Sequence, residues 1–81
     1  MIVSINHIRP LSALREGQTA QVSSLLSGGS MRRRLQDIGF IEGTQVECVQ
    51  KSPAGDPVAY RVRGALIALR SEDSAKVLVT G

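Results

Sequence analysis

The chain has 81 residues, which is enough for one small domain and leaves no room for a second core. Hydrophobic residues make up 42% of the chain and exclude wholesale disorder, while aromatic residues make up only 2%, so aliphatic side chains must fill the interior. The formal net charge of +3 is a modest basic excess, compatible with an acidic partner. The scarcity of aromatic side chains argues against a surface that stacks single-stranded bases.

Cysteine content and hydropathy predict where the protein works. Cys48 is the only cysteine, so no intrachain disulfide can form, and a small unstapled domain suits a reducing compartment. The first nine residues lack the uninterrupted apolar stretch of a signal peptide, and the longest apolar run, Ala65–Leu69, is too short to span a bilayer. We therefore predict a cytoplasmic protein that meets a membrane only at its surface or through an embedded partner.

Residues 1–9 form an apolar lead-in that either pairs at a sheet edge or belongs to a tail, and the sequence leaves both alternatives open. The domain itself is predicted to cover residues 10–81. At its start, Leu11 and Leu14 are three residues apart and precede Gly17, which predicts one helical turn packed against the strands.

Alternation of apolar and polar residues predicts about five short strands. They cover residues 18–25, 44–51, 58–62, 65–69 and 77–79. The apolar run 65–69 is predicted to be a central strand. A turn cluster at 52–57 and a tight hairpin turn at Arg63–Gly64 separate strands, and Ser71 is predicted to cap a single helical turn. The pattern predicts an all-β fold, a small SH3-like barrel with one interposed short α-helix and one or two single helical turns. Closure of the barrel would remove exposed edges.

The segment Gly28–Thr44 contains the interposed helix. Ser30 is its predicted N-cap, because a serine hydroxyl accepts a hydrogen bond from the open end of a helix. Gly39 is the predicted stop, in a Schellman ending that places Phe40 over Leu35.

This helix is predicted to have two different faces. Met31, Leu35 and Ile38 recur at helical spacing and form its apolar face. Three consecutive cations lie on the rest of its circumference: Arg32, Arg33 and Arg34. These arginines form either a solvated face or a contact for phosphate or a partner protein.

Reactive groups are few, and we expect neither catalysis nor a bound cofactor. His7 is the only histidine and lies in the lead-in, while Cys48 is predicted to face inward as a small buried hydrophobe. No CxxC, HxxxH or HxH pattern is present, so no metal site is predicted within the chain. His7 is only a weak surface candidate for a divalent transition metal, with carboxylates from a neighbouring chain.

Four segments together resemble the FeoA family in order, spacing and length. They are residues 25–29, 33–44, 52–58 and 65–70, and the resemblance extends from about Leu11 to Val79. The resemblance implies an SH3-like barrel and a small cytoplasmic accessory of bacterial ferrous iron uptake. It also implies action through the membrane transporter FeoB and its GTP-binding part. One departure from the family pattern is Glu42, where the family usually has proline.

Carried over residue by residue, the family pattern marks ten positions. They are Arg33, Leu35, Gly39, Gly43, Pro53, Gly55, Asp56, Pro57, Leu69 and Arg70. Glycines serve turns, leucines serve the core, and Asp56 is expected to cap the loop between its prolines. The candidates for partner contact are therefore the arginine face of the helix and the exposed loop residues Pro53, Gly55, Asp56 and Pro57.

Three functions follow from these observations. The first is a non-enzymatic binding module on a FeoB-type transporter. The alternative is a domain that binds or senses a transition metal ion through a site shared between chains. The third, nucleic-acid binding by the basic helix, is not expected, because the chain carries no helix-turn-helix module. The sequence leaves the oligomeric state open.

Overall fold

The computed structural model describes residues 7–81, and these form one antiparallel sheet with little helix. Its strands are β1 (Ile8–Pro10), β2 (Thr19–Leu25), β3 (Gln45–Lys51), β4 (Val58–Val62), β5 (Ala65–Leu69) and β6 (Val77–Thr80). The helices are a 3-10 turn (Leu11–Ala13), α1 (Gly29–Ile38) and α2 (Ser71–Ser74). The strand order is β1-β6-β2-β3-β4-β5. The predicted all-β fold with one interposed helix is confirmed.

The buried faces of the strands follow the predicted alternation. Val46 and Cys48 of β3 and Tyr60 and Val62 of β4 have no exposed surface. The turn at Leu11 also packs its leucine fully into the core, as predicted. Burial of each such aliphatic side chain contributes about 1.5–3 kcal/mol of transfer free energy, so this shared core stabilises the fold.

Both aromatic side chains lie in this core. Tyr60 and Phe40 are the largest of the fully buried side chains and are at most 1% exposed. Aliphatic residues fill the rest of the interior, as expected. Because both rings are inside, neither supplies a platform on which bases of a nucleic acid would stack.

Two bulges alter the alternation where the sequence shows no break. The pairing register shifts between Val22 and Ser24 in β2, and between Cys48 and Gln50 in β3. A bulge adds one residue to a strand and changes which side chains face inward. Leu25 is consequently buried, although it lies three residues beyond Val22.

Helix α1 begins earlier than predicted. The cap position is Gly28, and Ser30 lies within the first turn and makes no capping hydrogen bond, so the prediction for Ser30 is wrong. Gly29 adopts a φ of 59°, which glycine tolerates, and turns the chain into the helix one residue before the serine.

The predicted end of α1 is confirmed. Gly39, at a φ of 130°, donates its N–H to the Gln36 carbonyl at 3.1 Å, and the Phe40 N–H reaches the Leu35 carbonyl at 3.0 Å. This is the Schellman pattern. A Cβ added at Gly39 would lie 2.6 Å from Cδ of Arg63, so any other residue here would also displace that side chain.

Strand β1 resolves part of the question about the lead-in. Ile8–Pro10 pairs with β6 at one end of the sheet, and Pro10 is tolerated there because an edge strand needs no donor on its outer side. This sixth strand begins inside the segment that the sequence predicted as a lead-in. Residues 1–6, where the rest of that prediction falls, lie outside the described residues.

Strand β5 lies at the other end of the sheet, so the prediction that it is a central strand is wrong. Among the described strands it pairs with β4 alone, because the last strand, β6, enters between β1 and β2. Within the described chain no ladder joins β5 to β1, so the expected closure that removes both edges is also wrong. An apolar run indicates burial on two faces only when neighbouring strands and layers cover it, and at β5 they do not.

Candidate partner-binding surface

The two predicted contact regions lie on opposite sides of β5. On one side, α1 and β5 border a groove of about 430 Å³, which we call the helix-side groove. Met31, Ile38 and Ile67 contribute apolar surface to it, and Arg34 and Arg70 contribute positive charge.

On the other side, the loop that precedes β4 borders a groove of about 260 Å³, which we call the loop-side groove. Pro53, Pro57, Ala59 and Ala68 line it. Leu66 of β5, which lines neither groove, is 61% exposed. We call the strand and its two grooves the β5 surface.

The three arginines of α1 are not equivalent. The Nη1 atom of Arg32 donates to the carbonyl of Leu25 at 2.9 Å, which ties the helix to the end of β2. Arg33 and Arg34 are exposed, and Arg34 reaches the helix-side groove. Arg32 therefore has a structural contact, while Arg33 and Arg34 remain exposed on the arginine face.

Asp56 stabilises α2 rather than its own loop. Its Oδ1 accepts hydrogen bonds from the Ser71 N–H at 2.8 Å and from the Ser71 hydroxyl at 3.1 Å. Ser71 makes no capping bond with its own side chain, so its predicted role as the cap is wrong. Asp56 supplies the acceptor at the positive end of the short helix instead. The expected role of Asp56 within its own loop is thus corrected.

The rest of the loop remains exposed. The carbonyl of Ser52 accepts the Gly55 N–H at 2.8 Å, and the Ser52 N–H donates to the Pro57 carbonyl at 3.3 Å. These bonds close the loop and hold the exposed rings of Pro53 and Pro57 beside β5.

The possible reactive groups are dispersed. Burial raises the pKa of the Cys48 thiol, and the side chain has no exposed surface. Burial likewise raises the pKa of the Tyr60 hydroxyl, and the hydroxyl of Ser74 offsets this shift in part. Both groups are therefore protonated core residues near neutral pH, and neither is a nucleophile.

His7 is exposed at the start of the described chain. Within residues 7–81, no three His, Cys, Asp or Glu side chains come together as a metal site would require. A closed zinc site takes four ligands, so the described part of a single chain does not fit one. No helix of this part has the length and apolarity needed to cross a bilayer.

The sequence as a whole matches a known family model. The model of the FeoA domain matches residues 9–81, nearly the whole chain. The chain belongs to the FeoA domain family. This FeoA domain thus belongs to a family of accessory domains in ferrous iron transport, which is not a known enzyme family.

A curated relative connects the FeoA domain to a transporter. It is an Fe(2+) transport protein A/Fe(2+) transporter FeoB fusion protein of Porphyromonas gingivalis, 38% identical over 69 residues. The match covers 85% of this chain and 8% of the fusion protein. The chain therefore corresponds to a small part of that relative.

Solved FeoA structures share the fold. The FeoA protein of Chlorobium tepidum is 31% identical, with a TM-score of 0.83 over 88% of this chain and 68% of that chain. The FeoA of Stenotrophomonas maltophilia, in complex with zinc, is 30% identical, with a TM-score of 0.77 over 94% of this chain and 89% of that chain. The second is described as a prokaryotic SH3 domain protein, so the predicted SH3-like architecture is confirmed.

Two features of the FeoA domain escaped sequence reasoning. Leu66 and Ala68 belong to the apolar run that predicts a central strand, yet both are exposed. The bond between Asp56 and Ser71 joins residues 15 apart, and no local pattern reveals it. The free edge would have been predictable only from the strand order.

Substituting Asp56 by alanine should destabilise the domain by about 1 kcal/mol, because the Ser71 N–H loses its acceptor. Asp56→Asn should cost less, since the amide keeps an acceptor oxygen at the same position. Urea denaturation of both variants measures the difference. An alanine variant as stable as the wild type would show that the bond contributes nothing.

Stability should fall as pH rises above about 8.5, the ordinary pKa of a thiol. Folding raises the pKa values of Cys48 and Tyr60, so the unfolded chain loses these protons first and rising pH favours unfolding. The free energy of unfolding, measured by urea denaturation across alkaline pH, should decline less steeply in Cys48→Ala and in Tyr60→Phe. Unchanged slopes in both variants would contradict this assignment.

Proposed function

We propose that the domain is a non-enzymatic binding module that acts on the cytoplasmic GTP-binding part of a FeoB-type ferrous iron transporter. The observation that carries the proposal is the Porphyromonas gingivalis relative, in which a matching segment and FeoB are parts of one polypeptide. Fusion keeps two domains at high effective concentration, and this arrangement favours even a weak contact between them.

The chemistry of the domain supports a role in binding. Its two buried ionisable core groups, Cys48 and Tyr60, are held protonated by burial. Arg33 and Arg34 are exposed on α1, which the hydrogen bond from Arg32 ties to the end of β2. Exposed cations on a rigid element can orient an acidic partner and speed its association. A cytoplasmic location, predicted from the sequence, would place this face beside the transporter's soluble part.

Reversing the free charges tests this proposal. We expect the double variant Arg33→Glu/Arg34→Glu to bind the transporter's cytoplasmic GTP-binding part about tenfold more weakly than the wild type, or worse, because attraction becomes repulsion. Calorimetry with the GDP-bound and GTP-analogue-bound forms measures the affinity, and growth on ferrous iron measures the function.

The matched control is Arg15→Glu, which reverses an exposed arginine outside α1 and the β5 surface. It should bind as the wild type does. Wild-type affinity in the folded double variant would remove the arginine face from the contact. Absence of binding by the wild type in either nucleotide state would overturn the proposed function itself.

A second candidate function is divalent metal binding, which the zinc complex of the Stenotrophomonas maltophilia FeoA favours. Since the described part of one chain does not bring three ligands together, such a site would combine His7 with carboxylates of a second chain.

Under this hypothesis Zn²⁺ or Fe²⁺ should bind at micromolar concentration and increase the mass of the particle in sedimentation. His7→Ala should abolish both effects. Cys48→Ala is the control, because that thiol is buried and should not contribute. The absence of binding heat at micromolar metal would end this hypothesis.

A further inference from the structure

Among the residues that the structure describes, no strand pairs with the outer edge of β5, so the backbone hydrogen-bonding groups on that edge are unused there. The two-residue turn Arg63–Gly64 makes its flanking residues, Val62 and Ala65, a hydrogen-bonded pair. Such pairs alternate along an antiparallel ladder, so the peptide groups of Leu66 and Ala68 point away from β4. They lie on the outer side of the last strand of the sheet.

The two edges of the sheet differ in their protection. Proteins usually block an edge strand with charged residues or proline. Strand β1 has both, in Arg9 and Pro10. Strand β5 has neither, since its residues are Ala, Leu, Ile, Ala and Leu. Leu66 and Ala68 are exposed, and within the described chain no strand pairs with this apolar edge.

The grooves on the two sides of β5 suit the alternating side chains of one added strand. Ile67 lines the helix-side groove, and Ala68 lines the loop-side groove and also borders the helix-side groove. In an incoming strand, successive side chains point to opposite faces of the sheet. One set would therefore enter each groove, and both sets would meet apolar surface.

The charges around β5 indicate which segment would pair there. Arg63 precedes the strand, Arg70 follows it, and Arg34 lies across the helix-side groove, where Asp73 is the one acidic neighbour among the lining residues. These cations favour acidic residues at the ends of a bound segment.

The same charges disfavour a second copy of this chain. Antiparallel self-pairing centred on Ile67 would place Arg63 of each copy within one residue of Arg70 of the other. Like charges so close across a ladder are destabilising.

We propose that the edge of β5 binds an extended segment of a partner protein, with apolar residues at alternate positions and acidic residues at both ends. The segment adds to the sheet as a seventh strand by bonding to Leu66 and Ala68. The inference rests on the proposed function in one respect, since we place this segment on the transporter's cytoplasmic part.

A synthetic peptide tests the edge without the transporter. The probe has alternating valine and threonine at its centre and glutamates at both ends, and amide spectra of the whole chain report its binding. We expect the peptide to protect the amides of Leu66 and Ala68 from hydrogen exchange. A peptide with lysines at both ends should bind about tenfold more weakly. Absence of protection at these two amides would overturn the inference.

Variants at Leu66 test the edge with the transporter. Leu66→Pro removes an outward N–H without breaking the ladder to β4, and should abolish binding of the peptide and of the transporter's cytoplasmic part. Leu66→Thr, the control, keeps the N–H and should bind both. Should the proline variant fail to fold, Leu66→Glu replaces it, because a charge at this exposed position repels the acidic ends.

The outcomes separate the two proposals. Peptide binding at β5 without transporter binding would overturn the proposed function and support the edge. Transporter binding by folded Leu66→Pro at wild-type affinity would overturn the edge as the transporter's contact and leave the proposed function standing. If the wild-type chain self-associates and Leu66→Pro does not, the segment that pairs with β5 belongs to a second copy of this chain. That result would overturn the stated partner.

Discussion

Burial of one small core determines the arrangement of this domain. The side chains of Tyr60 and Val46 and the other inward-facing residues must be covered by a single sheet, one helix and a few turns. The sheet therefore wraps around its own inner face, and α1 covers the core with Leu35. Because a domain of this size has little apolar surface to spare, exposed apolar residues are informative.

The β5 surface contains one of the four large hydrophobic residues that the described chain leaves exposed. Leu66 is exposed, while three of the five residues of the neighbouring strand β4 are buried. Asp56 and α2 hold the region after β5 in place, and the loop bonds of Ser52 hold the region beside it. The surface is thus exposed but supported on both sides, and this combination suits a preformed contact that loses little conformational entropy on binding.

The family relationship and the geometry address different questions. Membership of the FeoA family, with a relative fused to FeoB, indicates the process in which the domain works. It does not indicate which face of the domain makes contact. The two proposed contact regions, the exposed cations Arg33 and Arg34 and the edge of β5, lie close together, since Arg34 borders the groove beside the strand. One partner can therefore contact both regions at once.

Local patterns in the sequence were sufficient for strands β2 to β6, for the Schellman ending at Gly39 and for the arginine face of α1, because each depends on residues close together in the chain. The tertiary structure alone decided that β6 inserts between β1 and β2, which makes β5 an edge strand, and that Asp56 caps α2. Both outcomes depend on contacts between distant segments. An apolar run such as 65–69 has the same composition whether one neighbouring strand covers it or two.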